Sequence, residues 1–262
     1  MIPRTATLRP GAAPETVGVL ARLRRATLTW AVVVAAGLAP LAWAAEALGA
    51  AGLALQALVV FAAGTALAMR GLVWHLPVER LGAANRVTLA RFGLVSLLAA
   101  FVLHPGAAQH PVMAWALAAT AAVAAAMDAL DGALARAHGT ASAFGARFDM
   151  EVDALLVLVL AALVMQAGNA GAWVLAAGAL RYVFVAAGAL LPWLNRTLPH
   201  SVRRKAVCAV QVSVLVACMV PSLPAPWPAM LAATGLAALV WSFAVDVAWL
   251  FRARRNPMEP IA

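Results

Sequence analysis

Charge is scarce in this chain. Of its 262 residues only 11% are Asp, Glu, Lys or Arg, and a single lysine, Lys205, stands beside eighteen arginines. A water-soluble domain carries about 25% charged and about 45–50% apolar residues. Here apolar residues reach 65%, too many to hide in one water-soluble core. Strand-like alternation is missing as well, which excludes a membrane barrel and leaves membrane-spanning helices. Cysteine is nearly absent. Cys208 and Cys218 lie ten residues apart in one expected helix, about 15 Å of rise, too far for a disulfide. No repeat and no large soluble domain is found. The net charge of +9 would suggest nucleic acid in a soluble protein, but no basic stretch is free of the membrane, so nucleic-acid binding is not expected.

What is present is a series of long apolar runs. Eight can be drawn, at about 27–47, 51–74, 87–104, 112–135, 146–166, 171–192, 205–221 and 228–251. The basic residues fall before the first run and after every second one: Arg22, Arg24 and Arg25; Arg80 and Arg86; Arg136 and Arg147; Arg203, Arg204 and Lys205; Arg252, Arg254 and Arg255. The connections HPGAAQHP, QAGNAG and PSLPAPWP hold neither Lys nor Arg. This alternation implies eight spans with both termini in the cytoplasm, the basic loops facing anionic headgroups. Tryptophans near the run ends agree with an interfacial belt. The start also resembles a signal peptide; a retained first span is expected, because its basic region is long. The segment 75–91 is more polar and could lie along the cytoplasmic interface.

The expected organisation is a basic cytoplasmic N-terminus over 1–26, two added spans over 27–74, a six-helix core over 75–252, and a cytoplasmic tail over 253–262. The fold class is an all-α polytopic membrane protein.

Four acids interrupt this apolar pattern. Asp128 and Asp131 precede a short turn, and Asp149 and Asp153 follow it. In a helix each pair shares one face, about 60° and about 40° apart, so two antiparallel spans bring all four to one depth. An ionised carboxylate at mid-membrane costs about 2.5–3.5 kcal/mol, so the cluster needs cationic compensation. A pair of divalent ions supplies it, and carboxylate oxygens suit Mg²⁺ or Mn²⁺. Gly132, Ala135 and Gly145 offer small surfaces beside the acids, and Arg136 offers a phosphate partner. Glu151 points about 200° away from Asp149 and is left out of the site, toward solvent or headgroups.

The pattern Asp128-x2-Asp131-Gly132-x2-Ala135-Arg136-x8-Gly145-x3-Asp149-x3-Asp153 resembles the full signature of the CDP-alcohol phosphotransferase family at all eight positions. Ala84-Asn85-Arg86-Val87-Thr88-x2-Arg91 is similar to the segment that opens the family's core, with Ala84 where proline is usual. Arg204-Lys205-x5-Gln211 is a weaker likeness, lacking a glycine and a threonine. The resemblance covers about 80–252 and leaves the first two spans outside.

It implies transfer of a phosphoalcohol group from a CDP-linked donor to a hydroxyl acceptor, with release of CMP, as in phospholipid biosynthesis. It implies Asp128, Asp131, Asp149 and Asp153 as ligands of two Mg²⁺ or Mn²⁺ ions, with Asp153 also the general base. Nucleotide contacts are implied for Asn85, Thr88, Gly132, Arg136, Ser142 and Gly145, with Thr140 an alternative to Ser142. Arg147, Arg181, Arg204 and Lys205 are candidates for an acceptor phosphate; alternatively, Arg181 pairs with Asp246 or with an acid of the site, and the cluster at 203–205 only marks the cytoplasmic side. The donor is expected to be CDP-diacylglycerol in a bacterial inner membrane, although a soluble CDP-alcohol also fits, and a homodimer is compatible with the resemblance. The rival function is a divalent-cation transporter, since intramembrane acids also line ion paths.

Overall fold

The computed structural model describes residues 14–47, 49–72, 82–106, 109–138, 143–199 and 201–255. Among them there are eight α-helices and no strand: α1 (Pro14–Ala47), α2 (Leu53–Leu72), α3 (Ala83–Phe101), α4 (Pro111–His138), α5 (Ala143–Gln166), α6 (Ala176–Leu190), α7 (Val202–Cys218) and α8 (Trp227–Arg255). Single 3₁₀ turns at Ala172–Leu175 and Pro192–Asn195 bracket α6. Each expected apolar run is thus a helix. Five helical stretches, in α1, α2, α4, α8 and the segment 172–190, are long and apolar enough to cross a membrane. The chain is an integral membrane protein.

α1 begins at Pro14 and so takes in Arg22, Arg24 and Arg25, which the sequence places before the first span. Its 34 residues rise about 51 Å, well beyond the roughly 30 Å of a hydrocarbon core. The first turns are held because Leu23 is buried against Ala68 of α2 and Phe148 of α5, while Arg22, Arg24 and Arg25 stay exposed around it. The more polar segment 75–91 divides: 75–81 lies outside the described residues, and 83–91 forms the first turns of α3.

α3 and α5 are the inner helices. α1, α2, α4 and α5 all pack on α3, and α5 also meets α6 and α7. Leu89, Val95 and Leu98 of α3 and Leu156, Leu160 and Val164 of α5 are almost wholly buried. At Gly178 of α6 a side chain would run into the backbone of Leu158, so α5 and α6 touch main chain to main chain. By contrast α2 turns Leu55, Val59 and Leu67 outward, and α6 turns out Val183, Val185 and Leu190, as helices facing lipid should. α7 and α8 pack on each other. Both cysteines are free thiols.

The polar ties cluster at the two ends. At one end Glu46 accepts from the Ala54 N–H and so caps α2 (3.0 Å), and His104 bonds Gln56 (2.8 Å). At the other, Arg196 donates to the Ala253 carbonyl, and Arg203 and Arg204 reach Asp246. The acid cluster lies where α3, α4 and α5 meet.

Candidate active site

α3 presents a polar face to the protein interior. Asn85, Thr88 and Arg91 are all buried, and Arg91 has no solvent exposure. The steps of three residues keep Thr88 and Arg91 about 60° apart on the helix. Such a helix is tolerated because protein, not lipid, surrounds that face.

Arg91 is the centre of the cluster. Its Nη1 lies 2.5 Å from Asp128 Oδ1 on α4 and 3.0 Å from Asp153 Oδ1 on α5. Its Nη2 bonds Asp149 Oδ1, also on α5. The planar fork can serve two helices at once, which an ammonium cannot do with the same geometry. Asp128, Asp149 and Asp153 each bring an oxygen within 4.8 Å of the others. Their side chains remain 48%, 31% and 28% exposed, so the cluster opens to one side while Arg91 closes the other. Asp131 is on α4 three residues after Asp128, and its side chain lies outside the described residues, as does that of Arg136; the surroundings of Gly132 lie outside them too. Ser142 and Thr140 lie outside them as well. Gly145 is in the first turns of α5.

The donor set fits a divalent metal: three hard carboxylate oxygens converge, are not walled off, and carry more negative charge than one guanidinium cancels. The carboxylates that hold Arg91 are those an ion would use. The guanidinium therefore keeps together a set of acids that would otherwise repel.

Arg91 closes the core-opening segment, and the sequence pattern assigns it no role. The signal was the need for a buried cation, which the sequence pattern assigned wholly to metal. The acceptor candidates are dispersed. Arg181 pairs with Glu151 (2.6 Å), neither with Asp246 nor with an acid of the cluster. Glu151 does point away from Asp149, but onto α6 rather than only toward solvent. Arg204 donates to the Pro199 carbonyl and to Asp246 (3.3 Å), and Arg203 holds the same carboxylate at 2.5 Å and lies over Trp241. Arg147 and Lys205 are exposed. Gln211, at the end of the weaker likeness, is buried against Gly235 of α8.

The family model described as CDP-alcohol phosphatidyltransferase matches residues 81–246. The match runs from the start of α3 to Asp246 in α8, includes every residue of the cluster, and leaves α1 and α2 outside. No curated protein and no solved structure matches the chain.

Proposed function

The chain belongs to the CDP-alcohol phosphatidyltransferase family, a family of transferases of substituted phosphate groups, and from that premise we propose that it moves a phosphatidyl group from CDP-diacylglycerol to a small hydroxyl acceptor at the cytoplasmic face of a bacterial inner membrane. The observation that carries the reading is the convergence of Asp128, Asp149 and Asp153 on Arg91. With Asp131, these acids would hold two Mg²⁺ or Mn²⁺ ions. Bound there, the ions would offset charge on the pyrophosphate and on the departing CMP.

The residues supply the rest. Asp153 accepts the acceptor's hydroxyl proton. The freed oxygen attacks the β-phosphorus, a new P–O bond forms, and the bond from that phosphorus to the bridging oxygen breaks. CMP leaves with that oxygen. Asn85, Thr88, Gly132, Arg136, Ser142 and Gly145 would seat the nucleotide. Buried Asn85 and Thr88 on the same helix as Arg91 support this seat. Arg147 and Lys205, both exposed, would reach an anionic acceptor with Arg181 and Arg204, although the latter two already have acid partners. Transport of a divalent cation is the weaker reading: Glu46, at the end of α1, is engaged in capping α2 rather than free to line an ion path.

The test is a panel of glycerol phosphate, inositol phosphate and serine, given to purified protein with CDP-diacylglycerol and Mg²⁺ or Mn²⁺. CMP release and a matching lipid mass are expected with one acceptor. CMP release with none of these, and none from a soluble CDP-alcohol, would remove the assignment.

A further inference from the structure

The matched family region begins at residue 81, yet the two helices before it touch the residues that flank the acid cluster. Phe92 follows Arg91 directly. Its ring packs on Phe61 of α2, centroids 5.5 Å apart, and on Phe148 of α5 at 6.1 Å, edge to face. Phe148 in turn precedes Asp149 directly. The Arg91–Asp149 ion pair therefore lies beside a Phe92–Phe148 ring pair, and α2 supports that ring pair from outside.

The fit is tight on both added helices. At Gly64 of α2 a β-carbon would enter the Phe92 ring, with Phe92 Cε1 only 2.7 Å away. At Gly93 of α3 it would meet Val34 Cγ1 at 2.6 Å and Leu38 Cδ1 at 2.7 Å, both from α1. Both residues that follow Arg91 are thus keyed to the added helices. α1 makes two further contacts. Leu23 is buried against Phe148, and Trp30 donates its indole N–H to the Arg86 carbonyl at 2.9 Å while the Arg86 guanidinium lies over the ring.

We propose that α1 and α2 are positioning elements of the active site, fixing α3 and α5 so that Asp149 keeps its place among the acids and the nucleotide-binding turn of α3 keeps its own. Interiors packed this closely transmit small displacements. The added helices touch no reacting group; they act through Phe92, Phe148 and Arg86. The proposal rests on the metal reading of the acid cluster, so its first measurement needs no CDP substrate.

Gly64→Ala in the full-length protein pushes the Phe92 ring. Binding of Mn²⁺ alone, followed by electron paramagnetic resonance, should weaken by about 10-fold, as for other residues that orient metal ligands. CMP release should fall by about 10-fold or more. Adding Phe92→Leu makes room for the new methyl group and should return both quantities toward wild type, a non-additive result. Gly37→Ala, a position with nothing within 4 Å, should change neither. A Gly64→Ala protein with wild-type Mn²⁺ binding and turnover would overturn the proposal, as would a loss that Phe92→Leu fails to relieve. If Gly64→Ala does not fold, Trp30→Phe carries the test. Loss of its one hydrogen bond should raise the donor KM about 2- to 10-fold with Mn²⁺ binding unchanged, and an unaltered KM would count against the proposal. Altered Mn²⁺ binding in a protein that releases no CMP would leave the positioning role standing and remove only the assigned reaction.

Discussion

Replacing Arg91 by glutamine should make the protein depend on divalent metal for its stability. The side chain is fully buried and, among the described residues, touches three carboxylates on two helices. At an effective dielectric near 20, one such pair with charge centres about 4 Å apart is worth about 4 kcal/mol. The three do not add, because the acids repel one another and are partly wet. Removing one partner of a buried ion pair costs about 3–5 kcal/mol, and the exposure of Asp128 argues for the lower figure. At about 2–4 °C per kcal/mol for a chain of this size, roughly 3 kcal/mol lowers the melting temperature in chelator by about 6–12 °C. Mg²⁺ should reverse much of this. An ion at 100 times its dissociation constant stabilises by about 2.7 kcal/mol, and a cluster stripped of its guanidinium binds cations more tightly. The assay is thermal unfolding in detergent, with chelator and with saturating Mg²⁺, on wild type, Arg91→Gln and Arg91→Lys. Lysine keeps the charge but cannot fork between α4 and α5, so it should fall between the other two. An equal deficit with and without Mg²⁺ would refute the reasoning, since the guanidinium and the ion would then not share one set of carboxylates.

Other outcomes follow from the same geometry. Chelation should abolish CMP release and Mn²⁺ or Mg²⁺ should restore it, and Asp128→Asn or Asp149→Asn should lose activity in a protein that still inserts; full activity in chelator would end the metal reading. Asp153→Asn should cut turnover by at least about 10²-fold while donor binding holds, whereas equal loss of binding would make Asp153 chiefly a ligand. Cysteine probes at 105–111 or 167–170 should label from outside the cell and probes at 137–144 should not. Arg181→Gln should raise the acceptor KM alone if the Arg181–Glu151 pair yields to an acceptor phosphate, and should leave it unchanged if that pair is only structural.

The helices and the acids were legible for the same reason: both are local. Apolar runs set the helices, and the four-residue step puts Asp149 with Asp153 on one face of α5. Partnerships between helices were not legible. Arg91 meets Asp128 across 37 residues and Asp149 across 58, and nothing in the spacing of either segment states that separation. The sequence demanded a cation and offered a metal; the fold also provides a guanidinium. Arg22, Arg24 and Arg25 place their segment before the first span, because three charges outweigh one leucine in any local average. In the fold Leu23 decides the matter by burying itself against Phe148.

Glu151 shows how a correct local argument can stop short. Its direction, about 200° from Asp149, does remove it from the acid cluster. A buried helix has no idle side, however, and the opposite face of α5 meets α6, where Arg181 stands. The same holds for hydropathy. Among the described residues, α3, α5 and α7 do not supply any of the five stretches long and apolar enough to cross a membrane, although α3 and α5 are the most enclosed helices of the protein. Asn85, Thr88 and Arg91 of α3 face protein, and Asp149 and Asp153 of α5 gather on Arg91. In a bundle of this kind the helices that carry buried polar residues are enclosed by their neighbours, and they are where chemistry should be sought.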